Sequence, residues 1–246
     1  MEIALIGYGK MGKAIEAIAL ERGHRIVLKI NKENINAFSE SNLQLADVAI
    51  EFTEPQTALE HVNKCLKAGV PVISGTTGWN HQLAQAKEKC LSQNGAFLHA
   101  SNFSIGVNLF FEINKQLAAL MNDWPTYQVA ITETHHTEKK DAPSGTAITL
   151  AEQILSNCKR AKHWQSVNNG EETTEGILPI ISERIDSVPG THEVVYNSEI
   201  DEISIKHTAH NRKGFALGAV LAAEFIKGKK GVFTMSDVLS SANNIY

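Results

Sequence analysis

Ile3-Ala-Leu-Ile-Gly-Tyr-Gly-Lys-Met-Gly12 is an apolar run that passes into three glycines spaced Gly-x-Gly-x-x-Gly. Four consecutive apolar residues read as a strand buried on both faces, and the stretch Lys13 to Arg22 behind it reads as a helix. In such a unit Gly7 permits the tight turn, Gly9 lets a pyrophosphate approach the main chain, and Gly12 lets the helix pack closely on the strand. The phosphates sit at the positive end of that helix. The context predicts a dinucleotide-binding turn; the spacing alone leaves open a glycine-rich turn without a ligand.

Working outward from that turn, strands are predicted at Arg25 to Ile30, Asp47 to Phe52, Val70 to Ser74 and Ala96 to His99. Helices at Pro55 to Ala68 and Leu83 to Cys90 fall between them. Alternation of this kind means parallel strands with helical crossovers, hence a doubly wound sheet over residues 1–104. The segment Asn31 to Ala46 is polar and short for a further strand with its crossover, so one sheet element of the usual arrangement is expected to be missing.

The pattern changes after Asn102-Phe-Ser-Ile-Gly. A helix over Val107 to Met121 leads into a strand over Tyr127 to Thr134, and later strands are predicted at Ile181 to Asp186, Thr191 to Tyr196 and Glu199 to Lys206. Strand following strand implies an antiparallel or mixed sheet. Trp164 to Glu175 reads as a polar loop. Phe215 to Lys227, with its small residues Gly218, Ala219, Ala222 and Ala223, reads as an apolar helix that returns to the first domain. The fold class is α/β: an N-terminal Rossmann-type parallel sheet in residues 1–104, completed by C-terminal helices in 215–246, plus a smaller α+β domain with a mixed sheet in 105–214.

At 246 residues, 43% hydrophobic and 20% charged, the chain can bury the cores of two such domains. A formal charge of −4 and a pI near 6.2 provide no basic field for a phosphate backbone, which excludes nucleic acid as a partner. No apolar run approaches the ~20 residues of a membrane span, and the chain opens on a strand without the regions of a signal peptide. The expectation is a cytoplasmic protein with no membrane partner. Cys65, Cys90 and Cys158 are far apart and form no Cys-x-x-Cys pair, which argues against a disulfide framework and a thiolate metal site.

Chemistry concentrates in Glu133-Thr-His-His-Thr-Glu-Lys-Lys-Asp-Ala-Pro-Ser-Gly-Thr-Ala147. His135, His136 and Lys139 supply cations and transferable protons. Pro143 and Ser144 are residue types of a helix entrance, where Ser144, Gly145 and Thr146 offer a hydroxyl and free N–H groups to a carboxylate. The predicted ligand is a small anion. Neighbouring strand residues point to opposite faces, so only one histidine need enter a cleft, and a surface histidine is the alternative for either.

Four histidines, His135, His136, His207 and His210, form a conceivable metal set. No acidic or cysteine partner stands in a recognised ligand spacing, so no metal is expected. Pro-Ser-Gly-Thr is not a nucleophile elbow, which excludes a serine hydrolase. Gly75-Thr76-Thr77-Gly78 follows a parallel strand, where it fits either the nicotinamide side of a dinucleotide or a plain turn. Arg184 reads as an ordinary solvent-facing arginine.

Taken together, Gly-Tyr-Gly-Lys-Met-Gly, Gly-Thr-Thr-Gly, Ser101-Asn-Phe-Ser-Ile-Gly-Val-Asn, the histidine loop and the closing His207-x-Ala-x-x-Arg-x-x-Phe-Ala-x-Gly-Ala resemble the 4-hydroxy-tetrahydrodipicolinate (dihydrodipicolinate) reductases over essentially the whole chain. The glycine turn is shared by many dehydrogenases; the histidine loop is specific to that family. The resemblance implies reduction of a small cyclic dicarboxylate with NADPH or NADH, on the diaminopimelate route to lysine. It implies His135 as proton donor or acceptor, Lys139 as a second proton donor, and His136, Ser144, Gly145 and Thr146 toward substrate. Gly7, Tyr8, Gly9, Lys10, Met11, Gly12, Gly75, Thr76, Thr77, Ala100, Ser101, Asn102 and Phe103 would contact the cofactor.

A homotetramer assembled through the second-domain sheets, and hinge closure between domains, are also implied. One departure stands out. Many relatives carry an acidic residue after the second strand, and this chain has Ile30-Asn31-Lys32. Without the carboxylate a 2′-phosphate is not repelled, and Lys32 attracts one, so NADPH is expected to serve at least as well as NADH. Two rivals remain: an aspartate-type dehydrogenase, which has no need of the histidine loop, and a catalytically dead nucleotide sensor, which has no need to keep His135 and Lys139.

Overall fold

The computed structural model describes residues 1–171, 174–211 and 213–242. The chain forms two compact units, one holding Met1–Ile105 and the chain from Lys213 onward, the other the segment that starts at Gly106.

The first unit opens with β1 (Glu2–Ile6), α1 (Lys10–Glu21) and β2 (Arg25–Ile30). The helix starts three residues earlier than its composition suggests, directly behind Gly9. A one-turn α2 (Glu40–Leu43) leads into β3 (Val48–Glu51), α3 (Pro55–Lys67), β4 (Val72–Ser74), α4 (Leu83–Ser92) and β5 (Ala96–His99). Pro55 stands at the first turn of α3, where its missing N–H costs nothing.

The second unit contains α5 (Ile105–Met121) from its second residue onward, β6 (Gln128–His135), α6 (Gly145–Asn157), β7 (His163–Val167), β8 (Ile177–Arg184), β9 (Thr191–Asn197) and β10 (Glu202–Thr208). The chain then returns to the first unit as α7 (Lys213–Ile226), β11 (Gly231–Phe233) and α8 (Met235–Ala242).

The first sheet is parallel, in the order β11-β5-β4-β3-β1-β2. Its inner strands β1, β3, β4 and β5 are mainly apolar because both faces are covered, whereas the edge strand β2 alternates exposed and partly buried residues. Ile3, Leu5, Ile50 and Ile73 pack under α1, α7 and α8, while Ala4, Ile6, Ala49 and Val72 pack under α3 and α4. The small residues of α7, including Gly218, Ala219 and Ala222, are buried against that first face. β2 is the edge strand, and the connection from it to β3 is only a 3-10 turn and α2, so no strand lies beyond β2 among the described residues.

The second sheet is mixed, in the order β10-β9-β6-β8-β7. β6 and β7 run parallel to β8, and β9 is antiparallel to both β6 and β10. One face, with Ile131, Leu178, Ile180, Val194 and Tyr196, forms a core with α5 and α6. The other face, including Ile177, Pro179, Ile181 and Val195, belongs to no core cluster and stays half-buried.

Two expectations are corrected. His163–Val167 is the strand β7, not part of a loop; it is an edge strand with one partner, and its mostly polar sequence follows from that exposure. Of the remainder of the expected loop, Glu172 and Thr173 lie outside the described residues. The C-terminal segment supplies a strand as well as helices, since β11 pairs with β5; three residues are too few to show a period. Residues 243–246 lie outside the described residues. No helix among the described residues is long and apolar enough to cross a membrane.

Candidate active site

At the carboxyl end of β1 the chain turns at Gly7, whose φ of +95° is a backbone region suited to glycine. The Gly7 and Tyr8 N–H groups both donate to the Ile30 carbonyl, at 3.0 and 2.9 Å. A Cβ at Gly7 would lie 1.9 Å from the Phe52 carbonyl oxygen, and one at Gly12 would lie 2.4 Å from the Gly7 carbonyl oxygen. Gly9 differs, because a Cβ there meets nothing within 4 Å. It stands at the N-cap of α1, and no cap side chain accepts from that turn's N–H groups. A pyrophosphate fits this arrangement.

Next to the turn lies a cavity of about 590 Å³, lined by Gly7, Tyr8, Gly9, Lys32, Glu54 and Thr57 among others. The Tyr8 hydroxyl donates to Glu16, which also holds Lys29 at 2.6 Å; that hydrogen bond to Glu16 is the main reason the Tyr8 phenol is pushed up from its ordinary pKa. Lys32 stands at the cavity with its Nζ 2.6 Å from Glu54 Oε1, in an exposed ion pair. Lys10 is exposed and Met11 half-buried.

The turn after β4 is organised by Glu51, a carboxylate the sequence reading passed over. Glu51 is fully buried and accepts from Ser74 Oγ at 2.5 Å, Thr76 Oγ at 2.7 Å and the Thr53 N–H at 3.0 Å. Burial raises its pKa, against the pull of those donors. The signal was present as an acid closing the buried strand Val-Ala-Ile-Glu. Thr76 is thus turned inward, its carbonyl accepting from Trp79 Nε1 at 2.8 Å, while Thr77 is exposed and Gly75 half-buried. Beyond β5, Ala100 and Asn102 are half-buried and Ser101 exposed, whereas the Phe103 ring belongs to the core, tilted on Phe52.

In the second unit, alternation along β6 places Ile131, Glu133 and His135 on one buried face. The register extends that face across the sheet: Ile131 lies beside Ile180 and Val194, Glu133 beside Ser182 and His192, and His135 beside Arg184. An apolar row is therefore followed by polar rows at the strand ends. Glu133 Oε2 contacts His135 Nδ1, and Glu133 Oε1 accepts from Arg184 Nη2 at 3.0 Å. Burial by itself would raise the Glu133 pKa, but His135 first, then Ser182 and Arg184, outweigh it and hold the carboxyl at about 2.

His192 faces His135 edge-on, ring centroids 5.0 Å apart, with its Nε2 3.1 Å from Ser144 Oγ. Burial, assisted by the neighbouring His135, pushes His192 down to about 3, so it is neutral at pH 7. Ser144 caps α6, its Oγ accepting from the Ala147 N–H at 3.2 Å, and is itself buried. Both of its contacts are internal. Gly145 is exposed and Thr146 half-buried on the first turn of α6.

The Lys139 ammonium is held by both Asp141 carboxylate oxygens at 2.8 Å, and Arg184 Nη2 donates to the Asp141 carbonyl at 2.7 Å. Arg184 is thus not a solvent-facing side chain, as the sequence suggested, but one fixed between β6 and the histidine loop. His136 lies just past the strand, in the wall of a cavity of about 420 Å³ completed by Asp186, Val188 and Pro189. Among the described residues, the one gathered set of metal-type side chains is Glu133, His135 and His192, and one oxygen of that carboxylate is already held by the Arg184 guanidinium. His207 and His210 do not join it. Arg212 of the closing motif lies outside the described residues.

The chain matches two family models, described as dihydrodipicolinate reductase N-terminus over residues 1–103 and C-terminus over residues 106–239. It is 50% identical over 240 residues to the 4-hydroxy-tetrahydrodipicolinate reductase of Christiangramia forsetii, covering 98% of each chain. To the enzyme of that name from Neisseria meningitidis serogroup A it is 34% identical, covering 93% of this chain and 85% of the relative. Among solved structures, the dipicolinate-bound dihydrodipicolinate reductase of Paenisporosarcina shares the fold, with a TM-score of 0.76 at 24% identity, over 96% of this chain and 98% of that one. An amine dehydrogenase from Mycobacterium smegmatis has a TM-score of 0.61 at 9% identity over 96% of this chain and 95% of its own. By the models spanning both halves and the relative that is half identical end to end, the chain belongs to the dihydrodipicolinate reductase family.

Proposed function

We propose that the chain reduces 4-hydroxy-tetrahydrodipicolinate to tetrahydrodipicolinate with His135 delivering the proton and Lys139 as a second proton group. The reaction belongs to the diaminopimelate route to lysine and depends on a pyridine nucleotide. The observation that carries the residue assignment is the placing of His135: a histidine ending a buried strand face, in the unit whose loop also holds Lys139 and the start of α6. Bound nicotinamide would supply the hydride. His135 supplies a proton to the neighbouring ring atom, the role for which an imidazole is suited near neutral pH. Lys139, His136 and the first-turn N–H groups at Gly145 and Thr146 meet the substrate's carboxylates. Ser144 serves by fixing that helix start, and Thr76 by fixing the turn after β4.

The dinucleotide is held by the open first turn of α1 behind Gly7 to Gly12, by Gly75 and Thr77, and by the main chain from Ala100 to Phe103. NADPH is the cofactor we favour, used at least as well as NADH. Lys32 must leave Glu54 to meet a 2′-phosphate, and an exposed pair of this kind holds by only about 0–1 kcal/mol, so the exchange costs little. Lys32→Ala is expected to lower kcat/KM for NADPH about 5- to 10-fold and leave NADH unchanged, the loss of one charge-assisted contact. Steady-state rates with both nucleotides check this, and an unchanged ratio would exclude Lys32 from phosphate binding.

Activity is tested by following NADPH absorbance while pyruvate and aspartate semialdehyde condense to form the substrate in place. Oxidation requiring both precursors supports the reading; no oxidation with either nucleotide opposes it. A cytoplasmic location is part of this reading and is supported by three buried free thiols, Cys65, Cys90 and Cys158.

The uncovered face of the second sheet supports a homotetramer built through Ile177, Pro179, Ile181 and Val195, which the single chain leaves half-buried. Ile181→Lys, placing a charge in that face, is expected to yield smaller species by light scattering. A tetramer unaffected by Ile181→Lys would move the interface elsewhere.

A further inference from the structure

The polar row at the end of β6 contains a carboxylate that the proposed proton transfer does not itself use. Glu133 is fully buried, on a face where the preceding inward residue is Ile131. A buried carboxylate is tolerated only when its oxygens are compensated: Oε1 accepts from the Arg184 guanidinium, and Oε2 is in ion-pair contact with His135 Nδ1, neither of these two atoms having a hydrogen-bond partner elsewhere. An apolar side chain would have cost less, so what Glu133 does for its partners is the question.

His135 is boxed in. Its Nδ1 side faces Glu133, its ring meets His192 edge-on, and its Nε2 faces the side of Gly190 where a Cβ would come within 3.0 Å of that nitrogen, space that the glycine leaves free. Turning the ring over would set carbon against a carboxylate. Nε2 is therefore the nitrogen left to exchange a proton. Arg184 braces the arrangement from behind, donating to Glu133 Oε1, to the Glu183 carbonyl at 2.7 Å and to the Asp141 carbonyl at 2.7 Å. Asp141 in turn carries Lys139.

We propose that Glu133 is a positioning residue for the reduction, fixing the proton of His135 on Nδ1 so that Nε2 is the delivering atom, with Arg184 holding Glu133 in place. This rests on His135 being the proton donor. The imidazolium gives its Nε2 proton to the substrate, the N–H electron pair stays on Nε2 as a lone pair, and the ring is left as the Nδ1–H imidazole bonded to Glu133. Glu133 remains ionised throughout, since its carboxyl is held well below the usual range. Water then returns a proton to Nε2.

The test is histidine ¹⁵N NMR on the intact enzyme, with the His135 signals assigned by their loss in His135→Gln. In the wild type the neutral form of His135 is expected to carry its proton on Nδ1; a neutral Nε2–H form would overturn the proposal without recourse to any variant. In Glu133→Gln, Arg184 takes the amide oxygen, the amide NH₂ faces Nδ1, and the tautomer is expected to switch to Nε2–H. With it, kcat is expected to fall about 100-fold, while binding of NADPH and of pyridine-2,6-dicarboxylate stays within about twofold. Unchanged turnover in Glu133→Gln, with His135→Gln impaired, would refute this inference alone. Full turnover in His135→Gln would instead remove the reading on which it rests.

Discussion

Replacing His135 by glutamine is expected to lower kcat roughly 100- to 1000-fold, with the dissociation constants for nucleotide and substrate changed by no more than about threefold. Glutamine approximates the reach of the imidazole and keeps a hydrogen bond, but it has no proton to transfer. What it removes is an interaction made chiefly in the transition state, so the loss falls on kcat, about 3–4 kcal/mol of activation free energy, and not on ground-state binding. The nucleotide's proposed contacts are all in the first unit, which a substitution at the end of β6 does not touch. Steady-state kinetics with substrate formed in place give both constants. Equal turnover would take His135 out of the chemistry, and a rise in KM with kcat unchanged would make it a binding group.

Acidification from pH 6.5 toward 3 is expected to remove on the order of 5 kcal/mol of folding stability, through His192 first and Glu133 below it. His192 is neutral in the folded chain down to about 3, whereas unfolded it takes a proton near 6.5. Between those values the unfolded chain binds more protons, so stability falls as pH falls. Glu133, held at about 2 in the fold, adds a second loss once pH drops through 4.5, where the unfolded carboxyl is protonated. The two groups are neighbours, so their contributions do not simply add. Glu51 works in the opposite sense: its pKa is raised by burial, so the fold gains as pH falls through that raised value. Urea unfolding at pH 7.5, 6.0 and 5.0 measures the slope. His192→Gln, which keeps a partner for Ser144 without a titrating ring, should flatten the upper part of that slope; a wild-type protein equally stable at 7.5 and 5.0 would contradict the assignment.

Much of the site was legible because its pieces are local in sequence. The glycine turn lies within ten residues of the first strand, and the histidine loop passes from strand end to helix cap in a single run from Glu133 to Ala147. Spacing, charge and cap chemistry are properties of such short windows. The partners of those pieces were not legible. Arg184 reaches Glu133 across 51 positions, Ser144 meets His192 across 48, and Lys32 meets Glu54 across 22. Each was read from sequence as a free or ligand-facing group, since nothing in a local window states which distant residue occupies the adjacent register.

By itself, then, the sequence determined the doubly wound parallel half, the missing element after β2 and the chemical character of the loop after β6. Continuous apolar strands alternating with helices admit few other arrangements, and glycines at Gly7 and Gly12 have a stereochemical reason in that turn. Only the tertiary structure decided the order of the mixed sheet, the edge strands β7 and β11, and the alignment of Glu133, His135, Arg184 and His192 in neighbouring rows. The physical reason is that periodicity records which face of an element is buried, whereas strand order and register are set by how all the elements pack at once. Edge strands, bonded on one side and wet on the other, retain the weakest trace of that packing in their sequence.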